Sequence, residues 1–393
     1  MNPRAEVAFE DENDRYHRQN LISWWDQDRL LSASVLVVGA GALGNELVKN
    51  LALMGVGRIV VVDLDRIENS NLARCVFFRE PDEGEFKAEV LARRAREINP
   101  AVDVVPLVGD VRTAAGLSLF NDVDLVLGGL DNREARLFVN QACWKTTTPW
   151  VDGAIEGLMG VVRVFCPPGT ACYECTMSER DHELVAARRT CALLTRDDML
   201  GGKVPTTSTS ASIIAAMQVQ EAVKLLHRER LGDPALAGGG FQYVGTSHDS
   251  YTVAYGRRDD CLSHDTYDLE RATVVAPDVT FGELLAAAQE AVGPDAVLDF
   301  EHEIVLGAEC QSCGASEQIR EPIETLDSGR GLCPQCGNQW RLQLTHGAGP
   351  GDELLELRPA DIRLPPGDVV SGRQGFDRVF FLLTGGRPAW ELV

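Results

Sequence analysis

Three glycines give the first chemical signal in this chain. Gly39, Gly41 and Gly44 spell G-x-G-x-x-G inside "VLVVGAGALG", between an apolar run and a helical pattern. The first two let a backbone turn and approach a phosphate. The third lets a helix pack tightly against a strand, and the helix N-terminus favours an anion. Asp63 closes the next apolar run, "RIVVVDLD", where an acid can hold ribose hydroxyls. A nicotinamide-dependent dehydrogenase shares that much. The neighbouring polar residues depart from a dehydrogenase: Asp65, Asn71 and Arg74 in "DLDRIENSNLAR", Lys87 at a helix start, Asp131, Asn132 and Arg136 in "LDNREAR", and Arg15 and Arg18 upstream in "RYHRQ". Cations around a few carboxylates suit a polyphosphate and its magnesium ion. No G-x-x-x-x-G-K-[ST] occurs, which excludes a P-loop NTPase.

The second signal is cysteine. The chain has eleven, without a secretion signal, so paired spacing reads as metal rather than disulfide. Cys310 and Cys313 in "CQSC" with Cys333 and Cys336 in "CPQC" have zinc-ribbon spacing, and each pair is followed by the glycine that a knuckle turn needs. Such a ribbon holds a small domain together, because metal binding adds to folding free energy. Cys172 and Cys175 form "CYEC", and Cys261 and His264 stand in "CLSH". Four cysteines remain. Cys143 and Cys166 sit in apolar patterns and read as core. Cys75, beside Arg74, is an outside candidate for reactivity. Cys191 stands in "RRTCALLTRDDMLGGKVPTTSTS", after Arg188 and Arg189, whose charges would lower a thiol pKa.

The elements that must position these residues alternate. Strand-like "VLVV", "RIVVVD", "VDVVPLV" and "DLVLGG" are separated by helical patterns at 45–55 and 87–100, the second ended by Asn-Pro. Alternation of this kind predicts an α/β, Rossmann-like, mostly parallel sheet with helices on both faces. Residues 149–166 and 241–260 read as antiparallel strands that extend it, with a long amphipathic helix over 210–230. From about residue 270 the character changes to a short helix, strand-like pieces around the ribbon cysteines, and Gly/Pro-rich loops. The reading is therefore an α/β domain over 1–270, including a loop near 176–209, and a C-terminal domain over 271–393 with the ribbon at 310–336. A net charge of −22 argues against nucleic acid and anionic membrane as partners and permits a basic protein. The charged N-terminus and the lack of a long apolar run predict a soluble, cytoplasmic protein.

Taken in order, R-Y-x-R-Q, G-x-G-x-x-G, V-D-x-D, S-N-L-x-R, a helix-starting Lys, D-N-x-x-x-R and C-x-x-C resemble the ThiF/MoeB/ubiquitin-activating enzyme superfamily over residues 15 to about 264. The resemblance implies ATP-dependent adenylation of the C-terminal glycine of a ubiquitin-like or sulfur-carrier protein. By position, Gly41 faces the phosphates, Asp63 the ribose, Asn71, Arg74 and Lys87 the triphosphate, and Asp131 magnesium. Arg18 would enter the partner subunit's site, since family members pair as dimers. The family also implies that Cys172 and Cys175 join Cys261 and His264 in a closed tetrahedral zinc site, here with His264 where a fourth cysteine is usual. In the ubiquitin-activating branch a thioester-forming cysteine precedes a P-T-T-like helix start, and "VPTTSTS" resembles one. Cys191 would then take the acyl group from the adenylate and pass it to a conjugating enzyme. Cys75 departs from the family's usual Gln after S-N-L-x-R. Two alternatives stay open: an activator of a sulfur carrier that stops at the adenylate, and a non-catalytic partner-binding subunit.

Overall fold

The computed structural model describes residues 14–114, 116–182, 205–234, 236–326 and 332–392. Eight strands form the first sheet: β1 (Ser34–Val38), β2 (Arg58–Asp63), β3 (Asp103–Val108), β4 (Leu125–Gly128), β5 (Trp150–Glu156), β6 (Met159–Phe165), β7 (Gly239–Val244) and β8 (Asp249–Ala254). Their spatial order is β3-β2-β1-β4-β5-β6-β7-β8. The first five are parallel, and β5 through β8 are antiparallel. Strand order reverses between β1 and β4, whose last paired residues are Val38 and Gly128. In open parallel sheets the crevice at such a reversal is where ligands bind.

The central strand explains why the sheet needs two covers. Val35 and Val37 enter one core cluster, Leu36 and Val38 the other, and all four are buried. Such strands read as continuous apolar runs rather than alternating ones. The first face is covered by helices α1 (Ala42–Met54), α2 (Lys87–Ile98) and α4 (Ser208–Leu226), which contribute Leu47, Leu51, Leu91, Ile214 and Val219. Helix α1 ends on left-handed Gly55, and the Thr207 hydroxyl caps α4 by accepting from Ser210 N.

The second face carries helices too, as the alternation predicts, but shares that work with the C-terminal region. Helix α3 (Arg133–Lys145) covers part of it, with Val139, Ala142 and Cys143. Short helices at Val111–Ala114 and Leu117–Asn121 add Val111, Leu117 and Phe120, and the C-terminal region adds Val369, Phe380 and Ala389 to the same cluster as Leu36, Val38, Val60 and Val62. That region is built on β9 (Thr273–Val274), β10 (Val297–Glu309), β11 (Ser316–Pro322), β12 (Arg341–Ala348), β13 (Val369–Gln374) and β14 (Asp377–Leu382). They run in the order β11-β10-β13-β14-β9, with β12 also on β10. Helix α5 (Phe281–Val292), opened by a Thr280–Glu283 capping box, supplies its own core through Phe281, Leu284 and Leu285. Across the seam, Ser118 N donates to Gly367 O (3.0 Å), Ala389 N donates to Asp122 Oδ2 (2.9 Å), and the Tyr267 and Phe380 rings stack at 4.5 Å.

On β5, Asp152 is fully buried between two cations: Arg136 Nε donates to Oδ1 (3.1 Å) and Arg163 Nη1 to Oδ2 (2.6 Å). Removing one member of such a set leaves the others buried without a counter-charge. Asp152→Ala is expected to lower unfolding free energy by about 3 kcal/mol, read from the denaturant midpoint.

Candidate nucleotide site and metal centres

The glycine turn lies between β1 and α1, at the strand-order reversal. Gly39 takes φ +100°, and a Cβ there would stand 2.7 Å from Gly129 O. A Cβ on Gly44 would stand 1.9 Å from Gly39 O, so the helix approaches the turn too closely for any side chain. Gly41 is different: nothing lies within 4 Å of its Cβ position. Protein packing does not demand glycine at 41, and the open space is what a close-lying ligand backbone or phosphate requires.

Asp63 ties this turn to the next loop. Its Oδ2 accepts from Ala40 N (2.6 Å) and its Oδ1 from Asp65 N (2.7 Å). Burial pushes its carboxyl upward, against the opposing pull of Lys87 and those two N–H groups. Lys87 begins α2 with its side chain only 11% exposed, and its Nζ donates to Asp65 Oδ2 (2.8 Å). Burial works against its charge, but Asp63 and Asp65 outweigh it and hold the ammonium above its ordinary range. A buried, charged ammonium beside an open glycine turn can neutralise an anion without first being assembled.

The other sequence-selected residues divide. Arg74, half-buried, donates from Nη1 to Ser70 O (2.7 Å), and Asn71 is buried with Oδ1 accepting from Glu68 N (2.9 Å). The Asn71 oxygen therefore shapes its own turn. Asn132 caps α3 by accepting from Ala135 N (2.8 Å), beside exposed Asp131. Arg136 leaves the cation set: it is buried and committed to Asp152, Leu130 O and Gly153 O. Arg15 bonds Ile98 O, while Arg18 is exposed. Cys75 is 4% exposed and burial pushes its thiol up to about 11, so it is a core residue and not a reactive one. Cys191 lies outside the described residues.

Sequence reasoning missed Asn45. It is fully buried on α1, directly after Gly44. Its Nδ2 donates to Ala40 O (2.8 Å) and Gly41 O (3.1 Å), and its Oδ1 accepts from Phe77 N (3.0 Å). One side chain thus turns two glycine-loop carbonyls inward and fixes the segment that follows Arg74. Its signal was an amide placed between Leu43 and Leu47 at the start of "LGNELVKNL".

The cysteines converge in two groups. Cys172, Cys175, Cys261 and His264 place one donor atom each within 4.8 Å of one another, as do Cys310, Cys313, Cys333 and Cys336. In the first, Cys172 Sγ is 3.6 Å from both Cys175 Sγ and Cys261 Sγ, and Cys175 Sγ is 3.4 Å from His264 Nε2. Arg258 N donates to Cys175 Sγ (3.4 Å), and the His264 ring stacks on Trp144 at 4.5 Å. In the second, Gly314 and Gly337 take φ +74° and +73° and donate back to Cys310 O and Cys333 O. Those are knuckle turns, closed by the glycine that follows each pair. Three thiolates with an imidazole, and four thiolates, both fit a tetrahedral zinc ion. No helix among the described residues is long and apolar enough to cross a membrane.

A family model described as "ThiF family" matches residues 15–263. The chain is 41% identical over 156 residues to the NEDD8-activating enzyme E1 catalytic subunit of Arabidopsis thaliana, covering 36% of this chain and 34% of that protein. It is 33% identical over 259 residues to the sulfur carrier protein ThiS adenylyltransferase of Bacillus subtilis, covering 65% of this chain and 72% of that one. The chain spans between 22% and 64% of the length of the first three curated relatives it matches. Among solved structures, E. coli MccB with ATP superposes with a TM-score of 0.54 at 24% identity, over 65% of this chain and 75% of that one. At that identity the likeness concerns the fold alone.

Asn45→Asp keeps the acceptor for Phe77 N and replaces the donor to both loop carbonyls with a carboxylate. Calorimetric titration should show ATP affinity weakened about tenfold or more, with the fold retained by circular dichroism. Elemental analysis should find two zinc ions per chain, falling to one in Cys313→Ser.

Proposed function

Because this chain belongs to the ThiF family, we propose that it uses ATP to adenylate the C-terminal glycine carboxylate of a small ubiquitin-like or sulfur-carrier protein. The observation that carries the reading is the Lys87 ammonium, held by Asp65 and in the field of Asp63, the carboxylate that bonds Ala40 N next to open Gly41. A carboxylate is already a nucleophile, so the site needs no general base. Its oxygen attacks the α-phosphorus, the bond to the bridging oxygen of the β-phosphate breaks, and pyrophosphate leaves with the electron pair. Catalysis then consists of alignment and of neutralising charge on the phosphates.

In this reading the Gly39–Gly44 turn receives the phosphates through backbone N–H groups and Asp63 accepts from the ribose hydroxyls. Lys87, Arg74 and Asn71 meet the triphosphate, Asp131 holds its magnesium, and Asp65 and Asn132 orient neighbouring groups. Exposed Arg18 completes the site of a second copy in a homodimer. Residues 1–270 form the adenylating domain and 271–393 a zinc-ribbon domain, and both zinc ions are structural. Transfer of the acyl group to the Cys191 thiolate comes as a second step: sulfur attacks the acyl carbon, AMP leaves, and the thioester passes to a conjugating enzyme. The Arg188–Arg189 pair beside it in sequence supports this step. A chain that ends at the acyl adenylate is the competing reading, supported by the likeness to the ThiS adenylyltransferase.

Pyrophosphate exchange dependent on a carrier ending in glycine is expected, and Lys87→Ala should lower its rate about a hundredfold or more. No exchange with the cognate carrier would reject the enzyme and leave a partner-binding subunit. A thiol-sensitive carrier adduct on non-reducing gels should vanish in Cys191→Ala while exchange persists; an adduct that survives makes another residue the acceptor.

A further inference from the structure

The seam between the two sheets buries ionisable groups that the adenylation chemistry does not use. β10 pairs with β13 as far as Phe300↔Val370, and just beyond that pairing the side chains of His302 and Asp368 approach each other. Both are buried, 3% and 1% exposed. Asp368 Oδ1 accepts from Leu117 N across the seam (3.4 Å), while its Oδ2 lies 3.5 Å from His302 Nε2 and has no hydrogen-bond partner among the described residues. The other imidazole nitrogen, Nδ1, lies 3.9 Å from Glu324 Oε2, also buried and without a hydrogen-bond partner among the described residues. The His302 ring stacks on Phe138 of α3, with centroids 6.4 Å apart. A cavity of about 40 Å³ beside them is lined by Leu117, Gln141, Lys145, Glu301, His302 and Asp368. That is room for one water molecule.

The charges around this pair do not balance. Lys145 of α3 is taken by Glu301, which also accepts from the Tyr267 hydroxyl (2.8 Å). Arg112, from the short helix after β3, is paired with Asp110 (2.6 Å) and reaches Glu134 (3.7 Å), and its field extends to Glu324. Five carboxylates (Asp110, Glu134, Glu301, Glu324 and Asp368) therefore meet two permanent cations and one imidazole. An ionised Asp368 with a neutral His302 would be a buried charge lacking any counter-ion of its own, which is costly. We propose that the C-terminal domain docks onto α3 and the first sheet with one proton held between His302 and Asp368, so that docking weakens as alkali removes it.

The sign comes from comparing docked and open states. Burial raises the Asp368 carboxyl to about 8 and lowers the His302 imidazolium below its usual value. In the open state the two titrate near about 3.9 and about 6.5. Asp368 alone makes docking lose strength as pH rises between its open and docked values. His302, buried neutral, makes docking lose strength as pH falls below its open value. The two slopes cancel below about 6.5, where open and docked pairs both hold one proton. Between about pH 6.5 and about 8 only the docked pair holds it, and the opening constant rises by about tenfold per pH unit. Docking held in this way is independent of the reaction at the glycine loop.

The experiment is hydrogen exchange on the full chain, following the Leu117 and Ser118 amides, which donate across the seam to Asp368 and Gly367. Protection factors, corrected for intrinsic exchange, should fall by about tenfold per pH unit from 6.5 to 8. Asp368→Asn, which keeps the shape of the protonated carboxyl, should flatten that dependence. His302→Gln should extend the decline below pH 6.5, because the cancelling imidazole is gone. A flat wild-type profile, an unchanged slope in Asp368→Asn, or a His302→Gln profile that matches wild type each overturns the proposal. Should Asp368→Asn fail to fold, the wild-type and His302→Gln profiles decide alone.

Discussion

Asp63 places one carboxylate between two chain segments that leave the ends of the paired strands β1 and β2. One oxygen holds the glycine turn through Ala40 N, the other holds the next loop through Asp65 N. Asp65 in turn fixes Lys87, the first residue of α2. The turn, the loop and the cation are therefore linked in one hydrogen-bonded frame at the end of β2, in the parallel part of the sheet. Each link is short and partly buried, so water competes poorly for it. Asn45 adds a second brace from below, between the turn and the segment after Arg74. Such a frame meets an incoming polyanion with donors already oriented, and it needs little reorganisation on binding.

What was legible in the sequence was what local spacing encodes. The strand–turn–helix at 35–55 has its own periodicity and its own glycines. The knuckles at 310–314 and 333–337 are written in five residues each. The antiparallel extension of the sheet was visible because its strands succeed one another in order. What stayed hidden depends on partners far away in the chain. Arg136 resembles a phosphate ligand until Asp152, on another strand, is seen to take it. Cys75 stands beside an arginine in sequence but faces the core in space. Asn132 serves as a helix cap, and the residues that cap helices are the same types that bind ligands, so spacing alone cannot separate the two uses. Cys191 falls outside the described residues, and its role rests on sequence.

The two ligand clusters differ in what they join. The ribbon organises its own neighbourhood: Cys310 and Cys333 share a small cluster with Ala308 and Trp340. The first cluster instead joins parts of the chain that are distant in sequence. It brings the turn after β6 to the segment after β8 and seats His264 against Trp144 on α3. A metal there closes a long loop of chain, which restricts the unfolded state more than a short closure does.

The shared second face also bears on solubility. Leu36, Val38, Val60 and Val62 pack in one cluster with Val369, Phe380 and Ala389, and the Arg58 guanidinium lies 4.5 Å over the Trp390 ring. A fragment cut between β8 and β9 would present part of that apolar face to water. It would behave as a sticky, self-associating species rather than as a smaller version of the protein. The last strands and the final turn thus serve as part of the cover that keeps the second face of the first sheet from water.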